Sequence, residues 1–384
     1  MHKTTKIIIW VVVIVIVVGG VILMNRPSSD EPIKIGFIGP LTGNLAYVGE
    51  DSRNALSLKM EEINRNGGVH SRPVQIIFED SEGSAAKAVS VFNKLTDVDH
   101  VRIVVGGDST PATLAVLSIA ENKGVTYVSY FSPSQIINEG GEAIVKIRPD
   151  LENQSEIMSS YLLDRGITRV AIMFDRGNDA VLPAKEAFIE FFTGAGGEII
   201  ASESFTAADT DFRTQLAKIN QVDPQAVWVA SIGKSGGLIV KQAQELRFSD
   251  SVVFAGLSNW VARDFIDAGG EAAEHAIFTS EPFDCNVEAF KAYCEQYRTQ
   301  YPDANPFYAG GYATDALELV VTVLRGIPKE QLETFGVDDF AQRVRELTEF
   351  PGLMNKYDLS QNGKVHKGNY IIKTVRDGQF VLAE

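Results

Sequence analysis

The chain has 384 residues, of which 45% are hydrophobic and 22% are charged, a globular composition with enough length for two cores. Its formal net charge of −15 argues against nucleic-acid binding, because a nucleic-acid-binding protein needs a basic face. Two cysteines and five histidines match no metal-ligand spacing, so we expect no metal site.

The first 32 residues differ in character from the rest. Ile7–Met24 carries no charge, and as a helix it would be roughly 27 Å long, close to the thickness of a bilayer core. Basic residues precede this stretch and acidic residues follow it, which predicts a single-pass anchor with the C-terminal domain extracytoplasmic. The alternative is a cleaved signal that leaves a secreted or periplasmic protein, although the small-residue cleavage signal is poor.

After this segment, strands alternate with helices. Strands separated by helical patterns of 10–15 residues indicate βαβ units and a parallel sheet. The strands predicted in the first series are Ile33–Gly39, Val74–Phe78, Val101–Val105 and Val125–Tyr130, with helices ending near Ile63 and spanning Ala85–Leu95.

The stretch from Val101 to Glu121 has the strongest functional pattern. Gly106 and Gly107 follow a run of apolar residues, and we expect Thr110 to cap a helix with Pro111 at its first position. Leu114, Leu117 and Ile119 are predicted to form the buried stripe of that helix. Free backbone N–H groups beside the hydroxyls of Ser109 and Thr110 would form a seat for a carboxylate. The alternative is an ordinary capped turn.

A second series of alternating strands and helices is predicted after residue 149. Ile277–Asp284 is predicted to return the chain to the first series, and three helices and an antiparallel tail with Asp377-Gly378 as a hairpin turn come after it. The strands predicted in this series are Val170–Phe174, Ile199–Ser204, Ala226–Ala230 and Val252–Ala255; the later helices are Val287–Gln300, Ala309–Leu324 and Val337–Leu347; and the tail strands are Leu353–Leu359, Tyr370–Val375 and Phe380–Leu382.

The two cysteines, Cys285 and Cys294, lie nine positions apart. An extracytoplasmic location would permit a disulfide. If Asn286 caps a helix, however, Cys294 lies roughly 12 Å along its axis, which is too far for a bridge. The sequence leaves a bridge and two free thiols open.

Motifs for catalysis are missing from the sequence. It has no glycine-rich dinucleotide or nucleotide-phosphate loop and no GxSxG nucleophile motif. The histidines do not follow predicted strands, so a His-dependent triad is poorly supplied. We therefore expect a protein that is not an enzyme and needs no cofactor.

Six stretches of the chain carry recognisable motifs in a specific order: IKIGFIGPLTGNLAYVGEDSRNALSLKMEEINRNGGV (33–69), VVGGDSTPATLAV (104–116), GVTYVSYFSPS (124–134), RVAIMFDRGND (169–179), YATDALELV (312–320) and FPGLMNKYDLSQNGKVHKGNYIIKTVRDGQFV (350–381). Together they resemble type I periplasmic binding proteins, specifically the Leu/Ile/Val-binding branch of ABC-transporter receptors. The resemblance implies two doubly wound parallel-sheet lobes joined by three crossings near Ile147–Leu151, Thr279–Asp284 and Leu353–Tyr357. Lobe 1 would comprise residues 33–148 and 281–352, and lobe 2 residues 149–280 and 353–384.

The resemblance also implies ligand-binding residues in lobe 1. Thr110, with Ser109 beside it, matches the hydroxyl that holds the ligand α-carboxylate. Phe131 matches a position that gives backbone contacts, and Ser132 or Ser134 would supply a further hydroxyl.

The remaining wall of the site departs from the family pattern. Ser258 stands where the family has the acid that pairs with the ligand ammonium. Either Asp179 takes over that role, or the ligand lacks an amine. An apolar wall is expected from Val48, with Tyr47 adjacent.

The function implied is an extracytoplasmic receptor that binds an amino acid or a similar small polar carboxylate by hinge closure. It would deliver this solute to an ABC permease in the membrane. The alternative is a ligand-sensing receptor domain that signals through a membrane partner, since one fold serves both roles.

Overall fold

Two large β-sheets organise the chain. The computed structural model describes residues 31–43, 45–133, 135–178, 181–206, 208–261 and 263–383. The predicted anchor Ile7–Met24 lies outside these residues. In the part of the chain that is described, none of the helices combines the length and hydropathy that a membrane span needs.

The first sheet has five parallel strands in the order β2-β1-β3-β4-β5. Successive side chains point to opposite faces, so Phe37 joins the core cluster on one face while Ile38 joins the cluster on the other. Helices cover both faces, as expected for a parallel sheet. The strands are β1 (Ile33–Gly39), β2 (Val74–Asp80), β3 (Ile103–Gly106), β4 (Thr126–Ser129) and β5 (Ile144–Lys146).

The second sheet has seven strands in the order β14-β13-β10-β9-β8-β6-β7. Strands β6 to β10 are parallel, and the tail adds an antiparallel hairpin at one edge. Asp377 and Gly378 have φ angles of 52° and 65°, as the predicted hairpin turn requires. The strands are β6 (Arg169–Asp175), β7 (Glu198–Phe205), β8 (Ala226–Ala230), β9 (Val253–Gly256), β10 (Ile277–Ser280), β13 (Ile371–Arg376) and β14 (Gln379–Leu382); β11 (Phe350–Pro351) and β12 (Lys356–Tyr357) form a separate small pair.

Eleven α-helices lie within the described residues, and their apolar faces complete the cores on both sides of each sheet. They are α1 (Ala46–Arg65), α2 (Ala85–Asp97), α3 (Thr110–Lys123), α4 (Leu151–Asp164), α5 (Leu182–Gly194), α6 (Arg213–Asn220), α7 (Gly233–Glu245), α8 (Arg263–Gly269), α9 (Glu288–Gln300), α10 (Tyr308–Gly326) and α11 (Val337–Arg345).

The start of α3 corrects one prediction. The residue that caps the helix is Ser109, so Thr110 is the first helical residue rather than the cap. The buried stripe also differs, because Val116 and Ala120 are fully buried whereas Leu114 and Ile119 are only partly buried. The helix is rotated so that its small residues face the sheet.

The two cysteines form a disulfide, with their Cα atoms 5.8 Å apart. The argument from helix length was wrong because α9 begins at Glu288 and Cys285 precedes it in a turn. The Val287 N–H donates to the Asp284 carbonyl at 3.0 Å, which folds the chain back so that Cys285 lies beside Cys294. Such a bridge fits an oxidising compartment.

Within the described residues, the chain passes between the two sheets three times. The first two passages lie at 147–150, between β5 and α4, and at 281–287, between β10 and α9. For the third, Leu359 and Val365 still belong to the core of the first sheet, and Lys364 pairs with Lys146 beside β5. We therefore place the third crossing at 366–370, C-terminal to the predicted one.

The predicted strand Leu353–Leu359 is mostly irregular, because Asp315 occupies the backbone groups that a strand would pair. Its carboxylate accepts the N–H groups of Leu353 at 2.5 Å and Met354 at 2.9 Å, and the Tyr357 hydroxyl at 2.5 Å. This side chain ties the segment to α10.

Removing the disulfide should lower the free energy of unfolding by about 2–3 kcal/mol, the entropy of closing a loop of this size. We expect dithiothreitol to shift the urea midpoint of the wild-type protein to that of the double variant Cys285→Ser/Cys294→Ser. The double variant is the control and should not respond to the reductant. Equal midpoints for oxidised wild type and variant would contradict the prediction.

Candidate functional site

A cavity of about 410 Å³ lies between the two sheets, a size typical of small-molecule sites. Residues that follow β3 and β4 face residues that follow β8 and β9 across it. Ligands of parallel sheets bind at this edge, outside the carboxyl ends of the strands. The lining residues are Leu45, Tyr47, Ser109, Thr110, Phe131, Ser132, Pro133, Arg148, Leu151, Ile232, Gly233, Ser258, Asn259, Val261, Asp264, Phe307 and Tyr308.

The start of α3 supplies a hydroxyl pair on the side of the first sheet. The Oγ atoms of Thr110 and Ser132 are 2.6 Å apart, so one donates to the other. The first N–H groups of a helix have no partner within it, and its N-terminus carries a partial positive charge. This arrangement suits an anion with two oxygens, such as a carboxylate.

Asp108 lies directly before this hydroxyl pair. Its Oδ1 accepts the Ser109 N–H at 2.7 Å, which fixes the turn that leads into α3. Burial raises the pKa of Asp108 above its usual value.

Close packing requires glycine at Gly106, the last residue of β3, and at Gly107 after it. A Cβ on Gly106 would lie 1.9 Å from the Tyr127 hydroxyl, and one on Gly107 would lie 1.9 Å from the Tyr130 hydroxyl. Any larger residue would therefore collide with these two tyrosine side chains, which are fully buried.

Aromatic rings form one wall of the cavity. The Tyr47 and Phe307 ring centroids are 5.7 Å apart, and the rings of Phe131 and Tyr308 are stacked at 6.2 Å. Asp51 of α1 positions this wall, since its carboxylate accepts hydrogen bonds from the Phe307 N–H at 3.1 Å and from the Gly310 N–H in α10. Burial raises the pKa of Asp51 to about 7.

Arg148, which lines the cavity, belongs to a buried ion pair. The Arg148 guanidinium donates to Glu281 Oε1 from Nε at 3.1 Å and from Nη2 at 2.7 Å, and it also donates to the Phe131 carbonyl. Burial alone would lower the pKa of Arg148, but Tyr308 and Glu281 outweigh that effect and raise it. Arg148 therefore keeps its charge and links two crossings to the aromatic wall.

Hydrogen bonds connect the ion pair to the third crossing. The Tyr312 hydroxyl donates to Glu281 Oε2 at 2.7 Å, and Asn355 Nδ2 donates to the Tyr312 oxygen at 3.2 Å. Asn355 Oδ1 then accepts the Asn369 N–H at 2.8 Å, within the third crossing. One hydrogen-bonded network thus connects all three crossings.

The opposite wall is organised by Gln154 of α4, which is fully buried. Its Oε1 accepts the Ser258 N–H at 2.9 Å, and its Nε2 donates to Ser258 Oγ at 3.0 Å. Trp260 anchors the same loop by donating its indole N–H to Ser231 at 3.0 Å. Ser258 is held rigidly at the cavity surface.

The structure brings most of the predicted site residues to this one cavity, whereas the predicted wall residue Val48 is fully buried and does not line it. Ser134 and Asp179 lie outside the described residues. The predicted residues that line the cavity are Tyr47, Ser109, Thr110, Phe131, Ser132 and Ser258.

Sequence reasoning missed Arg148, Asp264 and the pair Phe307-Tyr308. Arg148 follows a short strand that was not predicted, and the aromatic pair lies at the start of α10, a helix that belongs to the first core. Their positions at the cavity depend on how the crossings fold. The one available signal was an arginine next to a proline at a predicted crossing.

The profile of the family described as "Periplasmic binding protein" matches residues 32–379. The chain belongs to this family. A periplasmic binding protein acts outside the cytoplasm and is not an enzyme, which confirms the expectation of a protein without catalytic function.

Two curated relatives and one solved structure illustrate the similarity of this periplasmic binding protein. The Leu/Ile/Val-binding protein BraC3 of Rhizobium johnstonii is 24% identical, over 93% of this chain and 95% of the relative. A leucine-, isoleucine-, valine-, threonine- and alanine-binding protein of Pseudomonas aeruginosa is also 24% identical, over 78% and 79%. The branched-chain amino acid transporter substrate-binding protein LivJ of Streptococcus pneumoniae, solved with isoleucine, is 25% identical with a TM-score of 0.76, covering 91% of this chain and 98% of that structure.

The Glu281→Gln substitution should destabilise this periplasmic binding protein by about 3–5 kcal/mol, because Arg148 would stay buried without its counter-charge. The measurement is urea-induced unfolding followed by circular dichroism. Glu288→Gln is the matched control, since its partner Lys291 is exposed and such a pair is worth about 0–1 kcal/mol. Equal midpoints for the two variants would contradict a structural role for the ion pair.

Proposed function

We propose that this periplasmic binding protein is the solute-binding receptor of an ABC transporter and that its ligand is a branched-chain amino acid. The observation that carries the proposal is the hydroxyl pair of Thr110 and Ser132 at the start of α3, inside an inter-sheet cavity. The names of the relatives support the ligand class.

In this proposal the ligand carboxylate binds at the start of α3. It accepts hydrogen bonds from the Thr110 and Ser132 hydroxyls, which exchange their mutual bond for bonds to a charged acceptor. The aliphatic side chain packs against the aromatic wall, where Tyr47 and Phe131 offer apolar surface. Burial of that surface stabilises the complex by about 25 cal/mol per Å² removed from water.

The two lobes close around the ligand by rotation about the crossings. Hinge motions of this kind change φ and ψ in a few linking residues while each core moves as a unit. In this proposal each lobe is built on one of the two sheets. The segment from the second crossing to about residue 365 belongs to the first lobe. The hydrogen-bonded network of Arg148 and Glu281 keeps the three crossings in contact with one another during the motion.

The proposed location is the outer face of a cell membrane, with Ile7–Met24 as a single-pass anchor. The disulfide Cys285–Cys294 supports an oxidising compartment. An anchored receptor would deliver its solute to a permease in the same membrane.

The direct test is isothermal titration of the wild-type protein with L-leucine, L-isoleucine and L-valine, with the ligand recovered unchanged. The Thr110→Val variant should bind about 10- to 100-fold more weakly, because a hydrogen bond to a charged group contributes about 1.5–3 kcal/mol.

Thr110→Ser is the matched control for this test, since it keeps the hydroxyl and should bind nearly as tightly as the wild type. Melting temperatures of both variants separate a loss of affinity from a loss of folding. If Thr110→Val binds as tightly as the wild type at equal stability, the carboxylate does not bind at the start of α3.

A further inference from the structure

The charges around the cavity are divided between its two sides. On the side of the first sheet, the helix N-terminus is partly positive and the Arg148 charge is already neutralised by Glu281. On the other side, Asp264 is the one carboxylate among the described residues that line the cavity. The cavity is therefore dipolar, with its negative pole on the second lobe.

Asp264 lies in the first turn of α8 and is exposed. None of the ion pairs between described residues includes it. The neighbouring Arg263 pairs instead with Asp267, at 3.0 Å. The Asp264 carboxylate thus faces the cavity without a cation to balance it.

The negative charge of Asp264 acts on Tyr47, a cavity residue on the side of the first sheet. Partial desolvation raises the pKa of Tyr47, and the Asp264 carboxylate raises it further, against the opposing effect of Arg148. Tyr47 belongs to the first lobe, so Asp264 lies close enough to act on a group held between the lobes. Its effect will grow when closure removes water, because electrostatic interactions strengthen at lower dielectric.

Ser258, which also lines the cavity, cannot balance a positive charge on the ligand. It is neutral, and both its N–H and its hydroxyl oxygen are bonded to Gln154. A cationic group in the cavity therefore finds its counter-charge on α8 and not on the loop after β9.

We propose that the Asp264 carboxylate binds the ammonium group of the ligand and makes the site selective for zwitterions over simple carboxylates. This inference rests on the proposed function, because it assumes that the ligand carboxylate binds at the start of α3. It adds the residue that decides between an amino acid and a carboxylate without an amine.

The test compares two probes, L-leucine and 4-methylpentanoate, which share a carbon skeleton and differ by the ammonium group. The wild-type protein should bind L-leucine at least 10-fold more tightly. Asp264→Asn should weaken L-leucine binding about 10- to 100-fold and leave 4-methylpentanoate within about threefold, because only the charged interaction is removed. Asp264→Glu should retain most of the selectivity, since it keeps the charge.

The matched control is Asp267→Asn, which removes a charge from the same helix at a residue that does not line the cavity. It should bind both probes like the wild type. Unchanged L-leucine affinity in Asp264→Asn, or equal losses for both probes, would overturn the assignment of Asp264. If neither probe binds the wild-type protein, the proposed function fails as well, and this outcome is distinct from the first two.

Discussion

The ion pair of Arg148 and Glu281 is the interaction on which the cavity and the arrangement of the crossings both depend. Arg148 lies in the first crossing and Glu281 in the second, and both are almost fully buried. A buried pair adds little net stability, because desolvating two charges offsets most of their attraction. Its loss is costly only when one partner remains. The pair therefore fixes geometry: it holds two linking segments, the Phe131 loop and the Tyr308 ring in one arrangement.

A second buried polar cluster, centred on Lys146, binds the third crossing. Lys146, fully buried, donates to Asp150 at 2.6 Å and to the Val365 carbonyl at 3.2 Å, and Asp150 also contacts His366 at 2.8 Å. The first and third crossings are thus joined at a point separate from the Arg148 network. Two polar clusters between packed cores restrain the backbone torsions of the crossings, so the proposed closure would follow one axis of rotation.

Local patterns in the sequence predicted the sheets well. The strand Ile33–Gly39 has the predicted bounds, because a run of apolar residues closed by glycines needs no distant contact to define it. The start of α3 was also predictable from hydroxyls before a proline, although its cap was displaced by one residue. The disulfide was not predictable, since it depends on a turn at Asp284–Val287 that precedes the helix.

The parts of the site that escaped prediction are those built from several segments. Arg148 faces the cavity because Glu281, 133 positions later, accepts its hydrogen bonds. The third crossing is displaced because Asp315 ties Leu353 and Met354 to α10. Such contacts join residues far apart in sequence, and neither periodicity nor spacing in one chain reveals them.

The central claim is that ligand binding closes two lobes about this hinge. Small-angle X-ray scattering of the wild-type protein, with and without saturating L-leucine, tests it most directly. The account predicts a smaller radius of gyration with L-leucine and no change for Thr110→Val at a concentration too low to saturate that variant. An unchanged radius for wild-type protein that calorimetry shows to be saturated would contradict closure.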